Sequence, residues 1–278
     1  MEFWKMHGLG NDFILLDGRS LPPGIDYSQA ARRLCDRHLG VGADGIEIAL
    51  PSEKADIRMR IINSDGSEAE MCGNGIRCFA KFVYEHGLVP REKMSVETLA
   101  GLIGPELMIE NNRVAAVKVD MGQPIFARER IPMLGSAGRV VSEPLAVGDR
   151  NYLITSILIG VPHTVIFVEN LADIPVTEIG PPIEKHPAFP KHTNVNFVQV
   201  LSRREISVRT WERGAGATLA CGTGCCAAVV AAILNQKTEN RVAVHLQTGD
   251  LEIEWQEGQL VFMTGPAVEV FHGSLESV

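Results

Sequence analysis

Two cysteines stand in the same local setting 149 residues apart, in Met71-Cys72-Gly73-Asn74-Gly75 and in Ala220-Cys221-Gly222-Thr223-Gly224. Each is followed by glycines at the first and third positions and then by an apolar run, containing alanine, long enough for a helix. A helix N-terminus carries backbone amides without intrahelical partners and a partial positive charge, so it attracts anions and favours a thiolate. Glycine lets a carboxylate approach those amides closely. Two such thiols suit one reaction well: a proton leaves one face of an amino-acid Cα and another arrives on the opposite face. The carbanion is stabilised through the carboxylate that the amides hold. One sulfur must be ionised while the other is protonated, and the roles exchange with the direction of reaction. This chemistry calls for no cofactor and no metal. Taken singly, a Cys-Gly pair at a helix start is a small packed residue; its recurrence in register is what favours chemistry.

The elements that must position these thiols also recur. With Cys72 set on Cys221, Arg60 falls on Arg209, Asn63 on Glu212, Ser64 on Arg213, Gly73 on Gly222 and Gly75 on Gly224, without a gap. The Gly-led stretch Gly8 to Ile14 resembles Gly160 to Ile166, and Met121-Gly122 resembles Thr264-Gly265. A repeat this long means two copies of one domain, not a solenoid. The boundaries are set at 1–122 and 123–267, with 268–278 packing against the first copy. Periodicity predicts strands on both sides of a turn at Gly8 to Asn11, a helix over 27–38, a strand over 57–63, a helix over 76–86, and strands at 95–98, 106–109 and 116–119. Residues 121–151, rich in Gly and Pro, read as the crossover between copies. Gly40-Val41-Gly42-Ala43-Asp44-Gly45 matches a dinucleotide fingerprint by letter, but a predicted helix precedes it and a strand follows, the reverse of what that motif needs, so it reads as a turn.

The 278-residue chain is 45% hydrophobic with a formal net charge of −8, which argues against nucleic acid as a partner and for a small molecule. No apolar run approaches the roughly 18–20 residues of a membrane span, and the N-terminus lacks the plan of a signal peptide. Six cysteines, at 35, 72, 78, 221, 225 and 226, fit a reducing, cytoplasmic setting, and their spacing lacks the pairs of a structural zinc site. Cys35, Cys78, Cys225 and Cys226 read as core. His163 reads equally as a turn residue and as a group that tunes the thiols. Glu212-Arg213 read either as a solvated pair or as a lining of the substrate cleft.

The stretches MHGLGNDF (6–13), NSDGSEAEMCGNG (63–75), GVPHT (160–164), TNVNF (193–197) and ERGAGATLACGTG (212–224) together resemble the diaminopimelate epimerase family, over essentially the whole chain. The resemblance implies an α/β (α+β) fold of two pseudo-symmetric domains, each a curved, mainly antiparallel sheet around a central helix, with the active site between them, and a homodimer. It implies Cys72 and Cys221 as the acid/base thiols. It further implies that Gly73, Asn74, Gly222 and Thr223 hold the reacting carboxylate and that Asn11, Asn63, Asn194 and Arg213 take the rest of the substrate. Glu212 would lie near the amino group, and His163 and Glu212 would tune the thiols. Gly45 and Val161 stand where many family members carry polar residues. A related two-thiol racemase acting on histidine or proline, a non-catalytic amino-acid binder and a thiol oxidoreductase are the alternatives. The last would keep its cysteines as C-x-x-C. Facing thiols are also expected to join as a disulfide when no substrate separates them.

Overall fold

A computed structural model describes residues 1–275, and the chain forms two units, Met1–Asp120 with the residues from Thr264 onward, and Met121–Met263. Residues 276–278, part of the C-terminal stretch assigned to the first copy, lie outside the described residues.

In the first unit the elements run β1 (Glu2–Gly8), β2 (Asn11–Asp17), α1 (Tyr27–Leu34), β3 (Gly45–Leu50), β4 (Ile57–Asn63), β5 (Glu68–Ala69), α2 (Gly73–Glu85), β6 (Val96–Thr98), β7 (Gly101–Ile103), β8 (Glu106–Glu110) and β9 (Arg113–Asp120). Leu9 and Gly10, at φ 58° and 90°, join β1 to β2, the positive-φ pair that a two-residue hairpin requires. β2 lies parallel to β3, β3 antiparallel to β4, β4 parallel to β6, and β6 antiparallel to β7, with β5 as an antiparallel partner of β4. Helix α2 packs on β1, β2, β3 and β9. Its Ile76, Phe79, Phe82 and Val83 are buried.

The second unit repeats this plan with β10 (Val140–Val147), β11 (Arg150–Ile159), β12 (Val161–Phe167), α3 (Val176–Glu184), β13 (Asn194–Ser202), β14 (Glu205–Glu212), β15 (Gly216–Thr218), α4 (Gly222–Leu234), β16 (Arg241–Leu246) and β17 (Gly249–Glu254). β12 is parallel to β13, β13 antiparallel to β14, β14 parallel to β16, β16 antiparallel to β17, and β15 flanks β14. The same sequence of senses runs from β2 to β7. Helix α4, GTGCCAAVVAAIL, carries no charged side chain and is buried nearly all round, as expected of a helix enclosed by a sheet. The chain then returns through β18 (Phe262–Gly265) to β19 (Val268–Ser274), which pairs with β1.

Two expectations are corrected. The helix predicted over 27–38 stops at Leu34, because the Asp36 side chain accepts from the amides of His38 and Leu39 and turns the chain. The stretch 121–151, expected to be a crossover, contains β10. Pro144 and a register shift between Val140 and Glu143, with Ser142 at φ 50°, hid its alternation, and both features are tolerated in a strand that ends a ladder. The Gly40–Gly45 stretch is a turn leading into β3.

Candidate active site

Both cysteine stretches fold as the repeat requires. Cys72 is the N-cap of α2, in extended backbone, and Cys221 is the N-cap of α4. Helix α2 therefore begins at Gly73, three residues earlier than the periodicity predicts. Each cysteine thus presents its sulfur to a first turn of free amides. The Gly75 amide donates to the Cys72 sulfur at 3.4 Å, and the Thr223 hydroxyl lies 3.6 Å from that of Cys221.

Around Cys72 the polar side chains form one connected set. Its thiol donates to Asn11 Oδ1 at 3.5 Å, and Asn74 Nδ2 donates to the same oxygen at 3.3 Å. The other end of the Asn11 amide donates to Asp44 at 2.7 Å, and this fixes which atom faces the sulfur. Asp44 also accepts from the Asp12 amide and from Arg37, and Arg37 and Lys5 both pair with Asp12. Burial pushes the Asp12 carboxyl up, but the bonds from Arg37 and Lys5 together hold it at about 2. Arg77, fully buried, donates to the Gly73 carbonyl and to Asn74 Oδ1, so the first turn of α2 is tied to a cation within its own helix. Asn63, at the end of β4, donates to Ser67 at 3.0 Å and pairs across the ladder with Gly45. A Cβ at Gly45 would lie 2.8 Å from the Ile62 carbonyl.

In the second unit Asn194 is buried with both ends of its amide engaged. Its Nδ2 donates to the Pro162 carbonyl at 3.0 Å, and its Oδ1 accepts from the Arg213 amide at 2.7 Å. It thereby seats the backbone of Arg213, whose guanidinium donates to the Lys191 carbonyl. Glu212 ends β14 and accepts from the Thr218 hydroxyl at 2.5 Å. A cavity of about 80 Å³ beside Cys221 is lined by Arg209, Thr210, Thr218 and Leu246, among others. His163 does not sit in a turn. It lies inside β12, fully buried, with Nδ1 3.2 Å from Asn196 Nδ2. Burial, with Arg213 adding to it, lowers its pKa to about 3, so the ring is neutral.

Electrostatics depart from expectation at the sulfurs. Burial pushes the Cys72 thiol up, against the Gly75 amide, and an ionised Glu47 would add to the rise. Cys221 is raised well above the ordinary thiol range by burial and by Glu212, against Thr223. Desolvation outweighs the helix-start amides at both. The remaining thiols behave as core. Burial lifts Cys35 to about 12 and pushes Cys78 well above the ordinary thiol range, and Cys225 and Cys226 are fully buried. All six cysteines are free.

Two polar residues escaped the sequence reading. Glu47 on β3 is fully buried, neither carboxyl oxygen has a hydrogen-bond partner, and Oε1 occupies the space where a side chain at Gly75 would begin. Asn196 on β13 stands beneath Gly224 in the same way, with Oδ1 2.5 Å from the position of a Cβ there. The repeat offset that relates Cys72 to Cys221 also relates Glu47 to Asn196, so the signal was present in the sequence.

Each unit is thus a sheet-enclosed helix led by a cysteine. The crystal structure of a probable proline racemase from Agrobacterium radiobacter K84 shares the fold, with a TM-score of 0.69 at 17% identity, over 99% of this chain and 92% of that one. The chain belongs to the diaminopimelate epimerase family, whose profile matches residues 3–127 and 155–270. It is 58% identical over 275 residues to diaminopimelate epimerase of Pelotomaculum thermopropionicum, and 55% identical over 274 residues to that of Moorella thermoacetica, covering 98% of both chains in each pairing. The chain is an isomerase.

Proposed function

We propose that Cys72 and Cys221 are the acid/base pair with which this isomerase interconverts LL- and meso-2,6-diaminopimelate, as in lysine biosynthesis. The observation that carries this reading is their equivalence: each caps the central helix of a repeated unit and faces free amides across two glycines. Burial opposes charge on both sulfurs, whereas the reaction needs one thiolate to take the Cα proton and one thiol to give a proton back, so the bound carboxylate and its amides act on a pair that starts protonated. Gly73, Asn74, Gly222 and Thr223 bind the reacting carboxylate through helix-start amides, where the carbanion's charge spreads. Asn11, held by Asp44, aligns the Cys72 thiol. Asn63 and Arg213 meet the distal carboxylate, with Asn194 seating Arg213, and Glu212 lies near the amino group.

The active unit is proposed to be a homodimer in the cytoplasm; exposed Val268, Val270 and Phe271 on β19 supply an apolar face for pairing. Among the described residues no helix is long and apolar enough to cross a membrane, and no cluster of three potential metal ligands occurs. The test is turnover of LL-diaminopimelate in deuterated water, where deuterium is expected at the epimerised Cα, with Cys72→Ala and Cys221→Ala each reducing the rate by several orders of magnitude. Full turnover in either variant would overturn the two-thiol assignment.

A further inference from the structure

At the foot of α4 one buried chain of hydrogen bonds ends in an unused donor. The Thr210 hydroxyl donates to Asn196 Oδ1 at 3.1 Å, Asn196 Nδ2 stands 3.2 Å from His163 Nδ1, and His163 Nε2 is buried without a partner. Which way the Asn196 amide points decides where the imidazole proton sits. Packing settles the direction. The Asn196 atom that abuts Gly224 is 2.5 Å from the place of a Cβ. An oxygen there accepts a close Cα–H contact, whereas an NH2 group would drive its hydrogen into the backbone. The first unit places an oxygen of Glu47 against Gly75 at the corresponding point. With Oδ1 on the glycine and taking the Thr210 hydroxyl, Nδ2 must donate to His163 Nδ1, which is then the bare nitrogen.

We infer that Asn196 is a positioning residue: with Thr210 it locks His163 as the Nε2–H tautomer and so reserves a buried, uncharged N–H donor for an anionic acceptor, a thiolate or a substrate carboxylate. A buried donor left without a partner is costly, and a neutral ring offers that donor without adding a second cation beside Arg213. The role as donor to the reacting groups rests on the two-thiol reading above; the tautomer does not.

The tautomer is read directly by 15N NMR of histidine-labelled protein, with the His163 signals assigned by their loss in His163→Gln. The expected result is a proton on Nε2 and a bare Nδ1; a proton on Nδ1 in the parent protein overturns the inference. Asn196→Asp replaces the donating amide by an acceptor, so the ring should invert to Nδ1–H and kcat should fall more than tenfold. Should that variant not fold, Asn196→Ala removes the amide that donates to Nδ1 and should let a fraction of the Nδ1–H form appear. An unchanged ring in the variant that folds overturns the lock. Inversion in Asn196→Asp with unchanged kcat overturns the reserved donor while leaving the cysteine assignment standing, whereas turnover surviving Cys→Ala removes the two-thiol reading without touching the tautomer.

Discussion

Replacing Glu47 by Gln should flatten the pH dependence of stability, by an amount fixed by where Glu47 sits. The residue is fully buried on β3 and its carboxyl has no hydrogen-bond partner, so desolvation holds its pKa well above the 4.5 of a free glutamate. A carboxyl raised in the folded state keeps a proton that the unfolded chain has already released. The stabilisation from this group is thus complete below the unfolded pKa and is lost as pH rises through the window up to the folded one. The slope in that window is about 1.4 kcal/mol per pH unit. From about pH 5 upward the parent therefore loses, at up to that rate, stability that the Gln variant, having no proton to release, keeps. At roughly 2–4 °C per kcal/mol, the difference in Tm between the two proteins should change by about 3–6 °C per pH unit inside that window. Differential scanning calorimetry of both at a series of pH values measures it, because every other group titrates alike in the pair and cancels. Parallel curves would show that Glu47 ionises in the folded state as freely as in water, and the account of its burial would be wrong. The same proton matters to the site, since an ionised Glu47 raises the Cys72 thiol further.

The other expectations concern the supports of the two sulfurs. Asp44→Asn removes the charge-assisted bond that orients the Asn11 amide toward Cys72. We expect kcat/KM to fall about tenfold, which is about 1.4 kcal/mol of transition-state stabilisation, with little change in Tm; unchanged steady-state kinetics would show that Asn11 is oriented by other means. Gly224→Ala places a methyl 2.5 Å from Asn196 Oδ1 and 3.2 Å from the Cys221 sulfur. It should lower stability by about 1–3 kcal/mol and displace the thiol, which slowed alkylation of Cys221 by iodoacetamide, followed by mass spectrometry, would report. An alkylation rate and Tm equal to the parent's would contradict the close packing described.

Local pattern was enough to reveal the duplication, the cysteine-led helices and the chemistry they permit. Capping, glycine placement and helical periodicity act over a few residues, and Cys72 to Gly75 and Cys221 to Gly224 obey the same local rules wherever they stand. The same holds for the turn at Gly40–Gly45, whose flanking elements alone ruled out a nucleotide fingerprint. β10 escaped because a proline and a bulge erase the alternation by which a strand is read, although its pairing with β11 needs neither position to be regular.

What surrounds each sulfur was decided by strand register. Pairing of Leu15 with Glu47 and of Val165 with Asn196 brings residues far apart in sequence under the two glycines. The same pairings bury His163, which sequence alone left divided between a turn and a tuning role. The protonation of the thiols belongs to that level too. A helix start by itself favours a thiolate, but the sheet closed around it withdraws water from the sulfur, and the loss of hydration outweighs the amides. Sequence determined which residues lead the two helices and what chemistry those residue types permit; only the packed structure determined what surrounds each sulfur, how deeply His163 is buried and which way the Asn11 and Asn194 amides face.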